Sequence, residues 1–349
     1  MAFDILGRIE ELSPTYLTLR ERARLELNPN DLRWRVQAPI RRVNSIKIGE
    51  FTTVDFRPAG GRRDWHAQPR EIPQVLGTPR TWEMIPVNPS RTWNERDLQL
   101  LQERAQTPRG GFVQAMYDEG IIDDVDTTAT TLANASDVQV ERDWYQSWFY
   151  NLLTVKDTKS NKAATVAIGN DASRYVAAPS TFAAAANAYT MFIDLLRDAR
   201  TKLGSLGGVR FRQSLLTQIL LDAPAVNGDR ATLASLRQRL SDEGLGEIAL
   251  TVDERTYHDF VDGGSAYTEQ FYVPSDRMAV VPANGVVGTT YVAPVTRAWK
   301  YVDPSRVSDV RDFTIFHDSR DGGRTLVQEA QINALSIPNE QFVYVVTGL

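Results

Sequence analysis

Apolar positions along this chain fall into helical, alternating and interrupted stretches, and their order predicts the elements. Near the amino end, Ser13-Pro14 opens a helical pattern in which Leu17, Arg20, Ala23, Arg24 and Leu27 share a face, until Asn28-Pro29-Asn30-Asp31 stops it. Its mixture of aliphatic anchors and arginines suits an arm laid on another surface better than a self-sufficient core. Residues 46–56 then carry β-branched and aromatic side chains with partial alternation, and 57–64 have the Pro and paired Gly of a loop tip. Extended stretches return over 71–76 and 80–87. Pro58, Pro69, Pro73, Pro79, Pro86 and Pro89 argue against a central strand and favour an edge ribbon that pairs with a neighbour. A hairpin so poor in its own core needs outside support.

Helical spacing resumes over 94–104, with Leu98 and Leu101 on one side, ahead of the break Thr107-Pro108-Arg109-Gly110-Gly111. The pattern continues weakly over 112–119, and the acidic, threonine-rich stretch 121–131 fits no period. Ser136-Asp137 reads as the N-cap of a helix over 138–155, where Val140, Trp144, Trp148 and Leu152 recur every four residues and Tyr145, Phe149 and Leu153 widen the stripe. An aromatic face this broad is a packing surface. Residues 156–178 are polar and strand-like, with 165–168 as the β segment. Pro179-Ser180-Thr181 then opens the strongest helical pattern, 182–203, through Ala183 to Ala186 and on to Met191, Phe192, Leu195, Leu196, Ala199 and Leu203. Gly204 and Gly207-Gly208 end it. Short helices are expected over 215–221 and 231–240, and strands over 209–211, 248–252, 271–273, 278–282, 289–293 and 341–347. The fold class expected from this order is α+β.

Composition narrows the picture. The chain has 349 residues, 42% hydrophobic and 24% charged, long enough for two or three interlocked units and unlike a disordered or collagenous chain. It has no cysteine, which removes disulfides, thiol nucleophiles and cysteine-ligated zinc; His66, His258 and His317 are too scattered for a local metal motif. No cationic start with an apolar core follows Met1, so no signal peptide is expected, and no run of about 18 apolar residues suggests a membrane span. Net charge is −5, distributed as +4 over 1–110, −5 over 111–180 and −4 over 181–349. That mild acidity does not suit a nucleic-acid reader. A basic first third and an acidic remainder suit Arg-to-carboxylate contacts between copies, although ordinary surface scatter explains them equally.

The inventory does not supply an enzyme template. There is no phosphate-binding loop, no dinucleotide glycine fingerprint after a strand and no nucleophile-elbow motif. Asp253-Glu254 with His258-Asp259 could be drawn as a metal cluster, but acids beside a His at a strand exit are routine surface. Asp123-Asp124-Val125-Asp126 lacks the glycine and terminal Glu of a calcium loop and reads as a solvated turn. The pairs Gly60-Gly61, Gly110-Gly111, Gly263-Gly264 and Gly322-Gly323 read as hinges and tight turns. No catalytic residue, cofactor or metal is expected.

One resemblance adds to this reading. The stretch 247–257 (Glu-Ile-Ala-Leu-Thr-Val-Asp-Glu-Arg-Thr-Tyr) is followed by a Gly-bearing turn, and then by Phe271-Tyr272-Val273-Pro274-Ser275-Asp276-Arg277-Met278-Ala279-Val280-Val281-Pro282. Asn284-Gly285-Val286-Val287-Gly288-Thr289-Thr290-Tyr291 and Ala293-Pro294 complete the series. This order resembles the C-terminal half of lambda-like tailed-bacteriophage major capsid proteins. Phe56-Arg57-Pro58-Ala59-Gly60-Gly61 and the ending strand from Ile337-Pro338-Asn339 to Val343 are similar to the same family's loop and final strand. The resemblance covers most of 46–349 through short, degenerate motifs.

It implies the Hong Kong 97 capsid fold. The implied layout is an N-terminal arm over 1–45, an extended E-loop over 46–92, and a peripheral domain with a spine helix over 93–178. An axial domain over 179–305 and a return to the peripheral domain over 306–349 complete it. The implied function is assembly through pentamers and hexamers into an icosahedral virion shell, formed in the host bacterial cytoplasm. That shell would enclose double-stranded DNA without sequence-specific contact, with scaffold, portal and possible decoration proteins as partners and no membrane. Inter-subunit contact candidates are Arg20, Arg24, Arg41, Arg42, Phe56, Arg57, Arg62, Arg63 and Trp65. Some relatives join subunits through an E-loop lysine; here that loop holds only Lys47, at its base, and arginine cannot serve as the nucleophile, so no covalent cross-link is expected. Two rivals remain at this point: an encapsulin-type compartment with the same fold, and a cytoplasmic hydrolase built around Asp253, His258 and Asp259.

Overall fold

A computed structural model describes residues 32–51, 79–97, 99, 111–157, 162–224, 230–260, 267–293, 314–320 and 325–349. The expected helix over 17–27 and the loop tip at 57–64 lie outside these residues. The first described elements are α1 (Arg33–Gln37), β1 (Ile40–Arg42), β2 (Lys47–Phe51), β3 (Pro79–Glu83), β4 (Pro86–Val87) and β5 (Ser90–Trp93). Next come α2 (Gly111–Tyr150), β6 (Leu152–Asp157), β7 (Lys162–Ala167), β8 (Tyr175–Ala177), α3 (Ala188–Leu203), β9 (Gly208–Phe211), α4 (Gln213–Asp222) and α5 (Leu233–Asp242). The remaining strands are β10 (Ala249–Val252), β11 (Thr256–Phe260), β12 (Tyr267–Phe271), β13 (Arg277–Val281), β14 (Gly288–Ala293), β15 (Thr314–Arg320), β16 (Thr325–Pro338) and β17 (Val345–Thr347).

Two large sheets organise the chain. One runs β10-β9-β13-β17-β8; the other runs β1-β14-β16-β15, with β4 and β5 also paired to β16. Because side chains alternate along a strand, each sheet divides its residues between two cores. In the five-stranded sheet, Met278, Val280 and Val346 join an apolar core with α3, α4 and α5, while Ala279 and Val345 join a second core under the aromatic face of α2. In the six-stranded sheet, Val292, Ile332 and Ala334 face that second core, and Tyr291, Ala293, Leu335 and Ile337 face a third, with Ile48 and Trp82. Gly288 sits where β14 crosses α2: a Cβ there would approach Trp144 to 2.9 Å and the backbone of Ile337–Pro338 more closely still. Glycine is required by that crossing.

The long helix corrects the first of these expectations: it includes Asp123–Asp126, which reads from the sequence as a solvated turn. Ser136-Asp137 is not an N-cap; α2 runs through it as a single helix of 40 residues. The Ser136 hydroxyl donates back to the Leu132 carbonyl at 3.1 Å, and Asp137 accepts from Arg35 at 2.9 Å, so neither side chain turns to cap a new helix. The helix also stops before 155: Asn151 has φ 58°, and Leu152 begins β6. The aromatic stripe is packing surface as expected, with Trp144 and Trp148 stacked at 5.6 Å and Tyr145 on Phe149 at 5.9 Å.

The alanine run is a second correction. The helix expected from 182 begins at Ala188, because Asn187 caps it by accepting from the Thr190 amide at 2.8 Å and Asp222 accepts from the Ala188 amide at 2.7 Å. Two specific caps outweigh the propensity of Ala183 to Ala186. Phe182 instead anchors the preceding turn, edge-on to Phe192 at 6.4 Å.

The end of the chain is the third. The strand expected over 341–347, like the one expected from Ile337 to Val343, is split. Ile337 and Pro338 close β16, residues 340–342 form a 3₁₀ turn capped by Asn339, and only Val345–Thr347 re-enters a strand, in the other sheet. Likewise β12 ends at Phe271, leaving Tyr272 and Val273 buried beyond it.

Candidate functional site

Most of the expected contact residues lie outside the described part of the chain: Arg20, Arg24, Phe56, Arg57, Arg62, Arg63 and Trp65. Arg41 and Arg42 are described. Both are exposed on β1, which runs parallel to β14 at the margin of the six-stranded sheet, and the Arg41 guanidinium lies 5.9 Å from the Tyr291 ring centre.

The segment before β1 is core, because Trp34 is wholly buried with Leu32 and Ala38. Leu32 offers no side-chain cap to α1. Glu141 replaces it from α2, accepting from the Arg33 amide at 3.0 Å and the Trp34 amide at 2.9 Å. Downstream, Gln37 accepts from Arg210 at 3.3 Å, and its carbonyl accepts from the Val287 amide at 2.7 Å. Residues 32–43 thus form a strap across α2, β9 and β14.

From this strap the chain enters a two-stranded ribbon, β2 against β3. Ile48 and Trp82 stand opposite each other and face the third core, and the Trp82 indole donates to the Ile168 carbonyl at 3.1 Å. Two pairs further along, Arg80 reaches the body. It donates to Glu340 at 3.0 Å and to Asn170 at 3.4 Å. Arg80, Asn170 and Glu340 were invisible to sequence reasoning, since the partners lie 90 and 260 residues away and no local pattern marks them.

A polar junction lies between the first two cores. Asp253 donates nothing and accepts from Arg255 at 2.9 Å and from the Tyr145 hydroxyl at 2.7 Å, with Arg210 at 3.7 Å. Arg255 also pairs with Glu141 at 3.1 Å, and Arg210 donates to the Tyr145 oxygen. Asp253 is 5% exposed, Arg210 4% and Glu141 1%. Burial pushes the Asp253 carboxyl up, but hydrogen bonds and charge from Arg255, with Arg210 and Tyr145, outweigh it and hold the group at about 2. For Glu141, burial is the larger influence: it raises the carboxyl above its ordinary value despite the two amides and Arg255. Burial likewise raises the Tyr145 hydroxyl.

This geometry bears on the imagined hydrolase. Asp253 is fixed in its ionised form by two arginines. His258 is exposed on β11, facing Glu269 across the hairpin, and Asp259 faces Arg142 at 3.7 Å. Asp253 and Asp259 have different arginine partners. Among the described residues no group of three or more His, Asp or Glu is placed to hold a metal ion, and no helix is long and apolar enough to cross a membrane.

No protein-family model matches the chain, and no curated protein matches it. Solved structures do. A chain assigned as a prophage capsid protein of E. coli CFT073 superposes with a TM-score of 0.51, at 10% identity, over 78% of this chain and 79% of its own. A phage-related protein of Bordetella bronchiseptica RB50 gives 0.49 at 10% identity over 95% and 96%, and the capsid of Myoviridae phage XM1 gives 0.44 at 13% identity over 88% and 86%. With a long helix under two mixed sheets and a ribbon rooted at their side, the chain has the α+β fold of phage capsid proteins, the Hong Kong 97 type.

Proposed function

We propose that this chain is the major capsid protein of a tailed bacteriophage, a structural and non-catalytic subunit that assembles through pentamers and hexamers into an icosahedral shell around double-stranded DNA. The observation that carries the reading is the fold shared with the prophage capsid chain across more than three quarters of both molecules. The ribbon supports it. Its root is buried, and a two-stranded ribbon gains stability from a covering surface. Sister copies supply that surface in a closed shell, where many modest interfaces add up.

In this reading 1–45 is the N-terminal arm, anchored on the body through the strap at its end, and 46–92 is the E-loop. Residues 93–178 with 306–349 build the peripheral domain around α2, and 179–305 build the axial domain. Arg20, Arg24, Arg41, Arg42, Phe56, Arg57, Arg62, Arg63 and Trp65 meet carboxylates and apolar patches of neighbouring copies. Scaffold, portal and decoration proteins are the further partners. A net charge of −5 leaves packed DNA free to slide rather than adhere.

The test is electron microscopy of the protein expressed with its genomic neighbours. Closed shells with nuclease-protected double-stranded DNA are expected. Shells filled with a protein cargo would point to a compartment instead, and the absence of any shell would overturn the reading.

A further inference from the structure

The ribbon is held at two depths. Nearer the body, Ile48, Trp82 and Met84 lie in the third core, and the Met84 amide donates to the Ile46 carbonyl at 2.8 Å. Further out, Arg80 is the last described side chain that ties the ribbon to the rest of the molecule. Its stem passes over Gly169, where a Cβ would meet the Arg80 Nε at 3.9 Å, and its guanidinium ends on Glu340 and Asn170. The ion pair is largely shielded, with side chains 21% and 16% exposed.

The partners matter more than the pair. Glu340 lies on the 3₁₀ turn between the end of β16 and the start of β17, which is the covalent connection from the six-stranded to the five-stranded sheet. Asn170 precedes β8, and its backbone is fixed by the Asn151 side chain, which donates to the Asn170 carbonyl and accepts from the Asn170 amide, both at 2.9 Å. β8 and β17 are neighbouring strands at one margin of the five-stranded sheet. One arginine on the ribbon therefore touches both connections that lead into that margin.

We infer that Arg80 is a latch: its contacts with Glu340 and Asn170 set the direction in which the ribbon leaves the body and couple that direction to the connection between the two sheets. The apolar root holds the ribbon in place without the latch, while the ion pair decides its angle. Because the apolar root is independent of the pair, loss of the pair reads out as local opening of the ribbon and not as unfolding of the body. This goes beyond the shell reading and does not require it.

The experiment is hydrogen–deuterium exchange on the full chain, with all variants compared in the same assembly state. Arg80→Gln and Glu340→Gln each accelerate exchange over 47–51 and 79–83 by about fivefold, with α3 unchanged. The reversed pair, R80E with E340R, restores protection. Arg80→Lys, which keeps the charge but loses the forked contact, falls between and serves if the glutamine variant does not fold. Unchanged ribbon exchange in the single variants overturns the latch, and so does equal acceleration in α3, which would mark general loosening.

Discussion

The two cores on either face of the five-stranded sheet are built on different principles. On the α3 face, Phe192, Leu196, Phe211, Leu236 and Val280 pack with aliphatic neighbours, and the elements involved are mostly near one another in sequence. On the α2 face, aromatic side chains surround a set of buried ions, and strap, long helix, β9 and the turn after β10 contribute partners more than 60 residues apart. The first is specified by shape and is tolerant of shape-conserving change. The second is specified by charge, since each ion is satisfied only while the others are present. Chain segments that must meet from far away are thus keyed by a network that fits one arrangement.

Four substitutions or conditions sharpen that contrast. Asp253→Asn keeps the shape but removes the charge between the buried Arg210 and the half-buried Arg255, and is expected to lower unfolding stability by about 3 kcal/mol in chemical denaturation. Acid should do the same more gradually. Asp253 sits at about 2 against an ordinary 3.8, so it favours the folded state above roughly pH 4 and loses that contribution, about 2 kcal/mol, as pH falls through about 2. Glu141 works in the opposite sense: its raised carboxyl is protonated more readily in the folded chain, so its penalty relaxes as pH falls. The melting difference between the native chain and Asp253→Asn should therefore narrow from pH 5 to pH 2; a constant gap would contradict the charge-keyed account. In the other core, Leu196→Met, similar in volume at a fully buried site, should remain within about 1.5 kcal/mol of the native chain. A loss as large as that of Asp253→Asn would erase the contrast. Smallest is Thr232→Ala at α5, where Thr232 and Ser235 form a reciprocal cap on an exposed helix end; about 1 kcal/mol is expected.

The same contrast explains what could be read from the sequence. Periodicity located α3's apolar face, the aromatic stripe of α2 and the strands β9, β10, β13 and β14, because each is a local pattern of buried side chains. It misplaced boundaries where a distant partner decided them. Ser136 and Asp137 looked like a cap because nothing nearby announced Arg35 as the partner of Asp137. The alanine run looked helical because the Asp222 carboxylate that meets Ala188 is 34 residues away. Only the Ile337–Pro338 end of β16, the longest strand among the described residues, is legible, since the polar residues Gln328, Glu329, Gln331 and Asn333 interrupt the apolar series. Of the expected contact residues, only Arg41 and Arg42 are described, and the Arg80 latch depended on contacts with no local signature.

The shell reading itself reduces to how the purified chain behaves in solution. Mass photometry at dilute concentration gives the answer in one measurement. The account predicts particles or capsomers far above the 39.1 kDa of a single chain, reaching the megadalton range under assembling conditions. A stable species at the single-chain mass that persists under every assembly condition would contradict it.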